Sequence, residues 1–259
     1  MDISLNGKSA LVCGSSQGIG LASAQELASL GARVTLCARN KNDLDRVIAE
    51  FPGSGHDTLV ADFDQPDQLK DTVREKISTS GPYQILVNNS GGPPGGPLFD
   101  ADTDEFSKAM TRHLVCNHLL VQELVPGMKE TNYGRIVNII STSVREPIQG
   151  LGVSNTTRGA VAAWAKTLSK ELGPHGITIN SVLPGFTDTA RLSQLMEKRA
   201  NAGSISPEEV KTGWLATIPL GRLAKASEVG AAIAFLCSPA AAYISGVCLP
   251  VDGGRLNVI

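Results

Sequence analysis

The sequence predicts an α/β fold built around a doubly wound, parallel sheet of seven strands. Short apolar runs rich in β-branched residues alternate with longer helical patterns from one end of the chain to the other. The helical stretches are long enough to serve as crossover connections, and this alternation is typical of a parallel sheet covered on both faces. No linker, repeat or low-complexity stretch divides the chain, so residues 1–259 are predicted to form a single domain.

Seven runs are predicted as strands, in chain order residues 9–13, 33–38, 57–61, 84–88, 135–140, 178–182 and 247–251. Several helices between them carry their own boundary signals. The first is predicted to run to Leu30, because Gly31 suits the end of a helix. Asp64 and Pro66 indicate another helix start, and Ser206-Pro207-Glu208-Glu209 has the form of a capping box with proline at the first helical position. The succession predicts a Rossmann-type fold.

Composition excludes several classes of function. The chain has 259 residues, of which 42% are apolar and 19% charged, an ordinary balance for a globular protein. A net charge of −2, without a lysine and arginine cluster, argues against nucleic acid or an anionic membrane as a partner. The longest apolar run, residues 231–237, is far too short to span a bilayer. The five cysteines are odd in number and form no C-x-x-C pair, so we predict no disulfide framework, no metal site and a reduced, cytoplasmic setting.

A glycine-rich loop follows the first predicted strand and opens the first helix. After Cys13 it reads Gly14-Ser15-Ser16-Gln17-Gly18-Ile19-Gly20. A bound pyrophosphate needs a sharp turn, a backbone without Cβ atoms near the phosphates, and the oriented N–H groups of a helix N-terminus. Glycines are also common at ordinary strand–helix turns. The position at the first strand–helix junction of an alternating fold nevertheless favours a dinucleotide site.

The end of the second predicted strand favours NADP(H) over NAD(H) as the cofactor. Dinucleotide folds that bind NAD usually place an acidic residue there, which binds the ribose. No Asp or Glu occurs between Glu26 and Asp43, and Arg39 closes the strand. Its guanidinium suits a 2′-phosphate, whereas the alternative is an arginine that is merely solvated.

With these residues in place, the chain resembles the short-chain dehydrogenase/reductase superfamily, especially its β-ketoacyl carrier-protein reductase-like members, over nearly its whole length. The loop resembles T-G-x-x-x-G-x-G with Cys13 in place of threonine. The other segments that resemble family motifs are Asp62-Phe63, Asn88-Asn89-Ser90-Gly91, Asn180-Ser181-Val182-Leu183-Pro184-Gly185, Ile218-Pro219-Leu220-Gly221-Arg222 and Asp252-Gly253-Gly254. The resemblance implies cofactor contacts from Asp62, Phe63, Asn89, Ser90, Gly91, Pro184, Gly185, Thr187 and Thr189. It also implies a small-molecule carbonyl or alcohol as substrate.

The resemblance implies a catalytic set of Asn, Ser, Tyr and Lys, and three of these four positions differ here. Ser141 falls at the serine position, which in the family hydrogen-bonds the substrate oxygen. Ser154 stands in place of the proton-transferring tyrosine, Arg158 in place of the lysine, and His113 in place of the asparagine. No shift of register restores Tyr-x-x-x-Lys, because residues 134–242 contain no tyrosine and residues 130–165 contain no lysine.

These replacements change the expected chemistry. An aliphatic hydroxyl is a much poorer acid than a phenol, and the short Ser154 would reach the same oxygen only through a water molecule. Arg158 stays charged near neutral pH, so it could hold ribose hydroxyls but not transfer a proton. His113 could titrate in the physiological range, although a satisfied interior histidine is the favoured interpretation. Glu146 could be a substitute acid if it lines the pocket, but a solvated loop position is the simpler interpretation.

Three functions stay open from the sequence alone: an oxidoreductase with altered proton transfer, a dinucleotide-binding sensor or partner subunit without activity, and a purely structural subunit. Residues 190–217 are predicted to form a lid over the substrate, with Met196, Trp214 and Leu215 as apolar parts. The last predicted strand is expected at a sheet edge, which favours a homo-oligomer, a tetramer or dimer, that covers it. The alternative is a monomer whose own tail, residues 256–259, covers the edge.

Overall fold

The computed structural model describes residues 1–258 and confirms the predicted parallel sheet of seven strands. These strands are β1 (Ser9–Cys13), β2 (Arg33–Ala38), β3 (Asp57–Val60), β4 (Ile85–Asn88), β5 (Gly134–Ile139), β6 (Ile177–Pro184) and β9 (Cys248–Val251). Each predicted strand therefore lies within two residues of the observed bounds. A separate two-stranded pair, which the sequence did not predict, is formed by β7 (Thr187–Asp188) and β8 (Ala224–Lys225).

The helices occupy the segments between the strands. They are α1 (Gly18–Ser29), α2 (Lys41–Ala49), α3 (Pro66–Ser80), α4 (Thr103–Met110), α5 (Cys116–Glu130), α6 (Gly152–Leu172), α7 (Ala190–Gly203), α8 (Pro207–Leu215) and α9 (Ala226–Cys237). A π-helical turn over Thr111–Val115 joins α4 to α5, and such turns are frequent at functional sites. The predicted capping box is present at α8, where Ser206 accepts the backbone N–H of Glu209 at 3.2 Å.

The order of strands across the sheet determines where a ligand-binding crevice lies. It is β3-β2-β1-β4-β5-β6-β9, and all neighbouring strands are parallel. The chain proceeds outward from β1 in one direction and then returns to continue from β4 in the other. This reversal between β1 and β4 leaves a crevice at the carboxyl ends of the strands, where ligands of open α/β sheets bind.

The two faces of the sheet carry separate apolar cores, as the alternation of side chains along β1 shows. Ala10 and Val12 pack with α1 and α9 on one face, whereas Leu11 and Cys13 pack with α3 and α5 on the other. All five residues of β1 are buried, as expected for a central strand with helices on both sides. Among the described residues, no helix is both long and apolar enough to cross a membrane.

Candidate functional site

A cavity of about 660 Å³ lies at the carboxyl edge of the sheet. It brings together most of the residues that the sequence predicts for the site. The predicted residues that line it are Gly14, Ser16, Gln17, Gly18, Ile19, Arg39, Asp62, Phe63, Asn89, Ser90, Gly91, Ser141, Ser154, Arg158, Pro184, Gly185, Thr187 and Thr189. The predicted residues that do not line it are Ser15, Gly20 and His113.

The glycine-rich loop has the geometry that a bound pyrophosphate requires. Gly14 and Gly18 both have φ of +58°, in the left-handed region that favours glycine. A Cβ on Gly14 would lie 2.6 Å from Asn89 Nδ2, which itself donates to the Gly14 carbonyl at 3.1 Å. The first turn of α1 contains no acidic residue, and Gln17 provides no side-chain cap. The N-terminal N–H groups of α1 are therefore left for an anion, so the loop fits a dinucleotide.

Ser15 and Gly20 support the loop instead of lining the cavity. Ser15 is fully buried, and its Oγ accepts the backbone N–H of Cys37 at 2.9 Å, which fastens the loop to β2. Gly20 packs under the loop, where a Cβ would lie 2.2 Å from the Gly14 carbonyl oxygen. Direct contact with the cofactor was expected of both residues. That contact stays a prediction, and the structure shows both residues holding the backbone turn.

Arg39 lies at the outer end of the cavity, beside the carboxyl ends of β2 and β3. It is exposed and makes no ion pair among the described residues. The neighbouring Lys41 is paired with Asp45 at 2.6 Å and does not line the cavity. Asp62 lines the same end and accepts the backbone N–H of Asp64 at 3.0 Å, which shapes the turn after β3. The Arg39 guanidinium therefore has no ionic partner in the described part of the chain and is suited to an anion.

Ser141 lies directly after β5, at the inner end of the cavity. Its Oγ accepts the backbone N–H of Ser143 at 3.1 Å, which caps the short 3₁₀ turn of residues 142–144. Because that bond uses only a lone pair, the hydroxyl proton stays free to be donated. Ser154 lines the same part of the cavity from the first turn of α6, and its side chain makes no hydrogen bond among the described residues.

Arg158 lies one turn after Ser154 on α6 and is buried. Its Nη1 donates to the Ile139 carbonyl at 2.8 Å, whereas its Nε has no partner in the described part of the chain. Burial, and to a lesser extent the positive charge of Arg191, lower the pKa of Arg158 to about 10. The group therefore stays cationic near neutral pH. The cavity holds a positive charge at the position where the resemblance expects lysine.

His113 lies outside the cavity, in the π-helical turn behind it. It is buried, and its Nδ1 shares a hydrogen bond of 2.6 Å with Ser90 Oγ. Burial and the charges of Arg158 and Arg112 lower the pKa of His113 to about 2. Burial and the low pKa favour the interior interpretation, because charging this ring would require it to be solvated. His113 acts as a neutral support for Ser90, in keeping with the interior interpretation.

Glu146 also lies outside the cavity. Its Oε1 accepts the backbone N–H of Asn257 at 2.8 Å, which joins the loop after the 3₁₀ turn to the C-terminal tail. The suggested role as substitute acid is therefore not supported by its position. The tail predicted to cover the sheet edge spans residues 256–259, of which Ile259 lies outside the described residues.

Several lining residues were not predicted from the sequence. The charged ones are Asp43, Arg112 and Arg191. Arg112 forms a two-point ion pair with Asp64, with Nη2 and Oδ2 2.6 Å apart, and this arginine lowers the pKa of the Asp64 carboxyl. Arg191 lies in the first turn of α7, and its Nη2 donates to the Pro93 carbonyl at 2.9 Å. Its position two residues after Thr189, at the start of the predicted lid, was the signal available.

The predicted lid consists of α7 and α8, and only the first turns of α7 reach the cavity. Arg191, Leu192 and Leu195 line it, whereas Met196, Trp214 and Leu215 do not. Trp214 instead stacks on Phe186, with ring centroids 4.7 Å apart and an angle of 12° between the rings. The apolar side chains of α7 that reach the cavity are therefore Leu192 and Leu195.

Comparisons with known proteins agree with this geometry. A family model described as enoyl-(acyl carrier protein) reductase matches residues 14–255. A chloroplastic tropinone reductase homolog of Arabidopsis thaliana is 36% identical over 256 residues, which cover 97% of this chain and 76% of that protein. The 3-oxoacyl-(acyl-carrier-protein) reductase of Vibrio cholerae is 33% identical over 258 residues, covering 99% of this chain and 100% of that protein.

A solved structure shows the same fold over its full length. L-sorbose reductase from Gluconobacter frateurii, complexed with NADPH and L-sorbose, superimposes with a TM-score of 0.93 at 29% identity, covering 100% of both chains. The match therefore includes the crevice, the segments around Ser154 and the helices of the predicted lid.

Proposed function

Because the chain belongs to the short-chain dehydrogenase/reductase superfamily, we propose that it is an NADP(H)-dependent, 3-oxoacyl reductase-like oxidoreductase acting on a carbonyl or alcohol without the Tyr-x-x-x-Lys pair. The observation that carries this proposal is that Ser141, Ser154 and Arg158 line the same cavity as the glycine-rich loop. The cavity therefore contains two hydroxyl groups and one guanidinium in addition to the loop that would bind the dinucleotide.

The residues of the cavity divide the cofactor among them. The loop from Gly14 to Gly18 and the N-terminus of α1 would hold the pyrophosphate, and Arg39 would hold the 2′-phosphate. Asp62 would lie at the adenosine, and Thr187 at the nicotinamide end. When bound in its reduced form, the cofactor supplies a hydride to the substrate carbon. NADP(H) is preferred over NAD(H) in this proposal because Arg39 has no acidic partner in the part of the chain that the structure describes.

The remaining residues act on the substrate oxygen. Ser141, and Ser154 directly or through a water molecule, would donate hydrogen bonds to the carbonyl oxygen, and Arg158 would stabilise the negative charge that develops there. The proton that completes the alcohol comes from water, because the described residues that line this end of the cavity include no histidine, carboxylate or phenol. Stabilisation of charge thereby replaces proton transfer from a phenol.

The test is to incubate the protein with NADPH and a panel of aldehydes and ketones. Oxidation of NADPH is monitored as a loss of its near-ultraviolet absorbance. We expect at least one member of the panel to be reduced, and Ser141→Ala to lower kcat by about 10²-fold, because removing one donor to a developing oxyanion has an effect of that order. Thr156→Ala is the matched control, since Thr156 is exposed on the same helix as Ser154. Equal activity in Ser141→Ala and Thr156→Ala contradicts the proposed role.

A second candidate function is a dinucleotide-binding subunit without turnover, acting as a sensor or partner. The observation that favours it is the absence, among the described residues at this end of the cavity, of a group suited to general acid catalysis. Tight NADPH binding together with no reduction of any carbonyl would support it. Failure to bind either dinucleotide would leave only a structural role.

Two further features belong to the proposal. Strand β9 lies at the edge of the sheet, and Tyr243, shortly before it, has a fully exposed side chain. We propose that a second copy of the chain covers this edge, in a dimer or tetramer. All five cysteines are free thiols, which suits the reduced, cytoplasmic setting that we propose.

A further inference from the structure

Two arginines face each other across the inner end of the cavity, over Gly92. A methyl group at Gly92 would lie 3.5 Å from Arg191 Nη2 and 3.8 Å from Arg158 Nη2. The two guanidinium groups thus approach one point within 4 Å, one from α6 and the other from the first turn of α7. Like charges repel at such distances, and the repulsion is strongest where water is scarce. The arrangement therefore calls for a negative group between them.

No carboxylate of the described residues supplies that negative group. Among the described residues, Arg158 and Arg191 form no ion pair, whereas Arg112 is neutralised by Asp64. The carboxylates that line the cavity are Asp43 and Asp62, which belong to its other end, near β2 and β3. An uncompensated buried guanidinium destabilises a fold, so its presence points to a ligand that completes it.

Each arginine presents one N–H group to the space over Gly92. In Arg158, Nη1 donates to the Ile139 carbonyl, Nε is shielded from solvent without a partner among the described residues, and Nη2 lies on the side of Gly92. Arg191 is held in place by the carbonyls of Gly92 and Pro93 through its Nη2, and its Nε lies 4.0 Å from the methyl position at Gly92. A carboxylate over Gly92 could therefore accept from Arg158 Nη2 with one oxygen and from Arg191 Nε with the other.

We infer that Arg158 and Arg191 bind a carboxylate of the substrate, so that the protein acts on an oxo acid or the corresponding hydroxy acid. This inference rests on the proposed function, because Ser141 and Ser154 line the cavity beside the two arginines. An oxo acid bound there would present its carbonyl to the serines while its carboxylate lies over Gly92. Arg158 then serves the bound acid as well as the developing oxyanion.

A rival occupant is an anionic part of the cofactor itself. The experiment therefore measures binding separately for cofactor and acid. Calorimetric titrations of the protein with NADPH come first, followed by titrations of the NADPH complex with pyruvate, levulinate and longer oxo acids. The methyl esters of the same acids serve as uncharged probes. We expect at least one acid to bind at least tenfold more tightly than its ester.

The variants identify which arginines produce this preference. Arg191→Leu should abolish the preference for acid over ester and leave the Kd for NADPH within about twofold, while Arg191→Lys should retain part of the preference. Arg199→Leu removes an equal charge from an exposed position of the same helix and should change neither quantity. The inference is overturned if the esters bind as tightly as the acids, or if Arg191→Leu weakens NADPH instead of the acids.

Gly92→Asp gives an independent test that needs no substrate. Its φ lies outside the left-handed region, so a side chain is tolerated there, and a carboxylate would be delivered between the two arginines. We expect Gly92→Asp to unfold at a higher temperature than Gly92→Asn and to lose binding of the acids. Equal unfolding temperatures for the two variants contradict the inference.

The outcomes separate this inference from the proposed function. If oxo acids bind more tightly than their esters but are never reduced, the carboxylate site is supported and the proposed reductase function is contradicted. If neutral ketones are reduced and acids are not preferred, the reductase function is supported and the carboxylate site is contradicted.

Discussion

Replacing Arg158 by methionine should stabilise the fold while removing function. The guanidinium is buried without an ion pair among the described residues, and its pKa is lowered to about 10 by burial and by Arg191. A fall of that size from the ordinary pKa of arginine disfavours the charged form by about 3 kcal/mol. Below pH 10 the side chain is protonated in both the folded and unfolded states, so the whole penalty is present at neutral pH.

The increase in the free energy of unfolding is smaller than this penalty, because the substitution also removes a hydrogen bond. Arg158 Nη1 donates to the Ile139 carbonyl at 2.8 Å, and a bond from a charged donor contributes about 1.5 kcal/mol. Methionine is unbranched and flexible, so it can fill the space of the arginine stem without a large cavity. The expected net change in the free energy of unfolding is therefore an increase of about 1–2 kcal/mol.

The assay is urea unfolding at neutral pH, with Arg135→Met as the matched control. Arg135 is also a buried arginine, but it donates to the carbonyls of Gly134 and Gly176 and stacks on Tyr133. Its replacement should destabilise the fold by about 2–4 kcal/mol, because those acceptors lose their partner. If Arg158→Met destabilises the protein as much as Arg135→Met does, Arg158 is not an uncompensated charge and the reasoning is refuted.

Three further outcomes follow from the site. Arg39→Ala should raise the Kd for NADPH by about tenfold and leave that for NADH unchanged, with Lys41→Ala as control; equal effects on both cofactors contradict the 2′-phosphate role. The folded pKa of His113, about 2, lies below its unfolded value, so its contribution to stability falls as pH decreases below about 6.5. His113→Asn should therefore reduce by about 2 kcal/mol the stability lost between about pH 7 and about pH 5 in urea titrations, and an unchanged loss opposes a neutral buried ring. The double variant Ser154→Tyr with Arg158→Lys should raise reduction of neutral ketones by about 10²-fold, whereas lower activity than the parent shows chemistry built around the present pair.

Much of the fold could be predicted because its signals are local. The alternation of apolar runs located all seven strands of the main sheet, and the capping box located the start of α8. The glycine-rich loop was identifiable because a turn with positive φ and an uncapped helix N-terminus leave few residue types possible. Short segments such as β7 and β8 were missed, since a two-residue pairing carries no periodicity.

The sequence predicts which residues lie near the candidate site, but it does not predict the direction or the burial of each side chain. Ser15 stands inside the predicted loop, yet its hydroxyl turns toward Cys37, and a sequence motif does not specify that direction. His113 occupies the expected position but is buried behind the cavity, which removes its titration near neutral pH. Arg191 was missed because it and Arg158 approach Gly92 from two helices that are distant in sequence, and no local pattern links them.

The most direct test of the central claim is the transfer of deuterium from NADPH labelled at the nicotinamide C4. The labelled cofactor is incubated with the protein and the oxo acids that bind it, and the products are examined by mass spectrometry. The proposed function predicts a hydroxy acid that carries one deuterium on the former carbonyl carbon, formed much more slowly by Ser141→Ala. A protein that binds labelled NADPH and an oxo acid together but yields no deuterated product contradicts it.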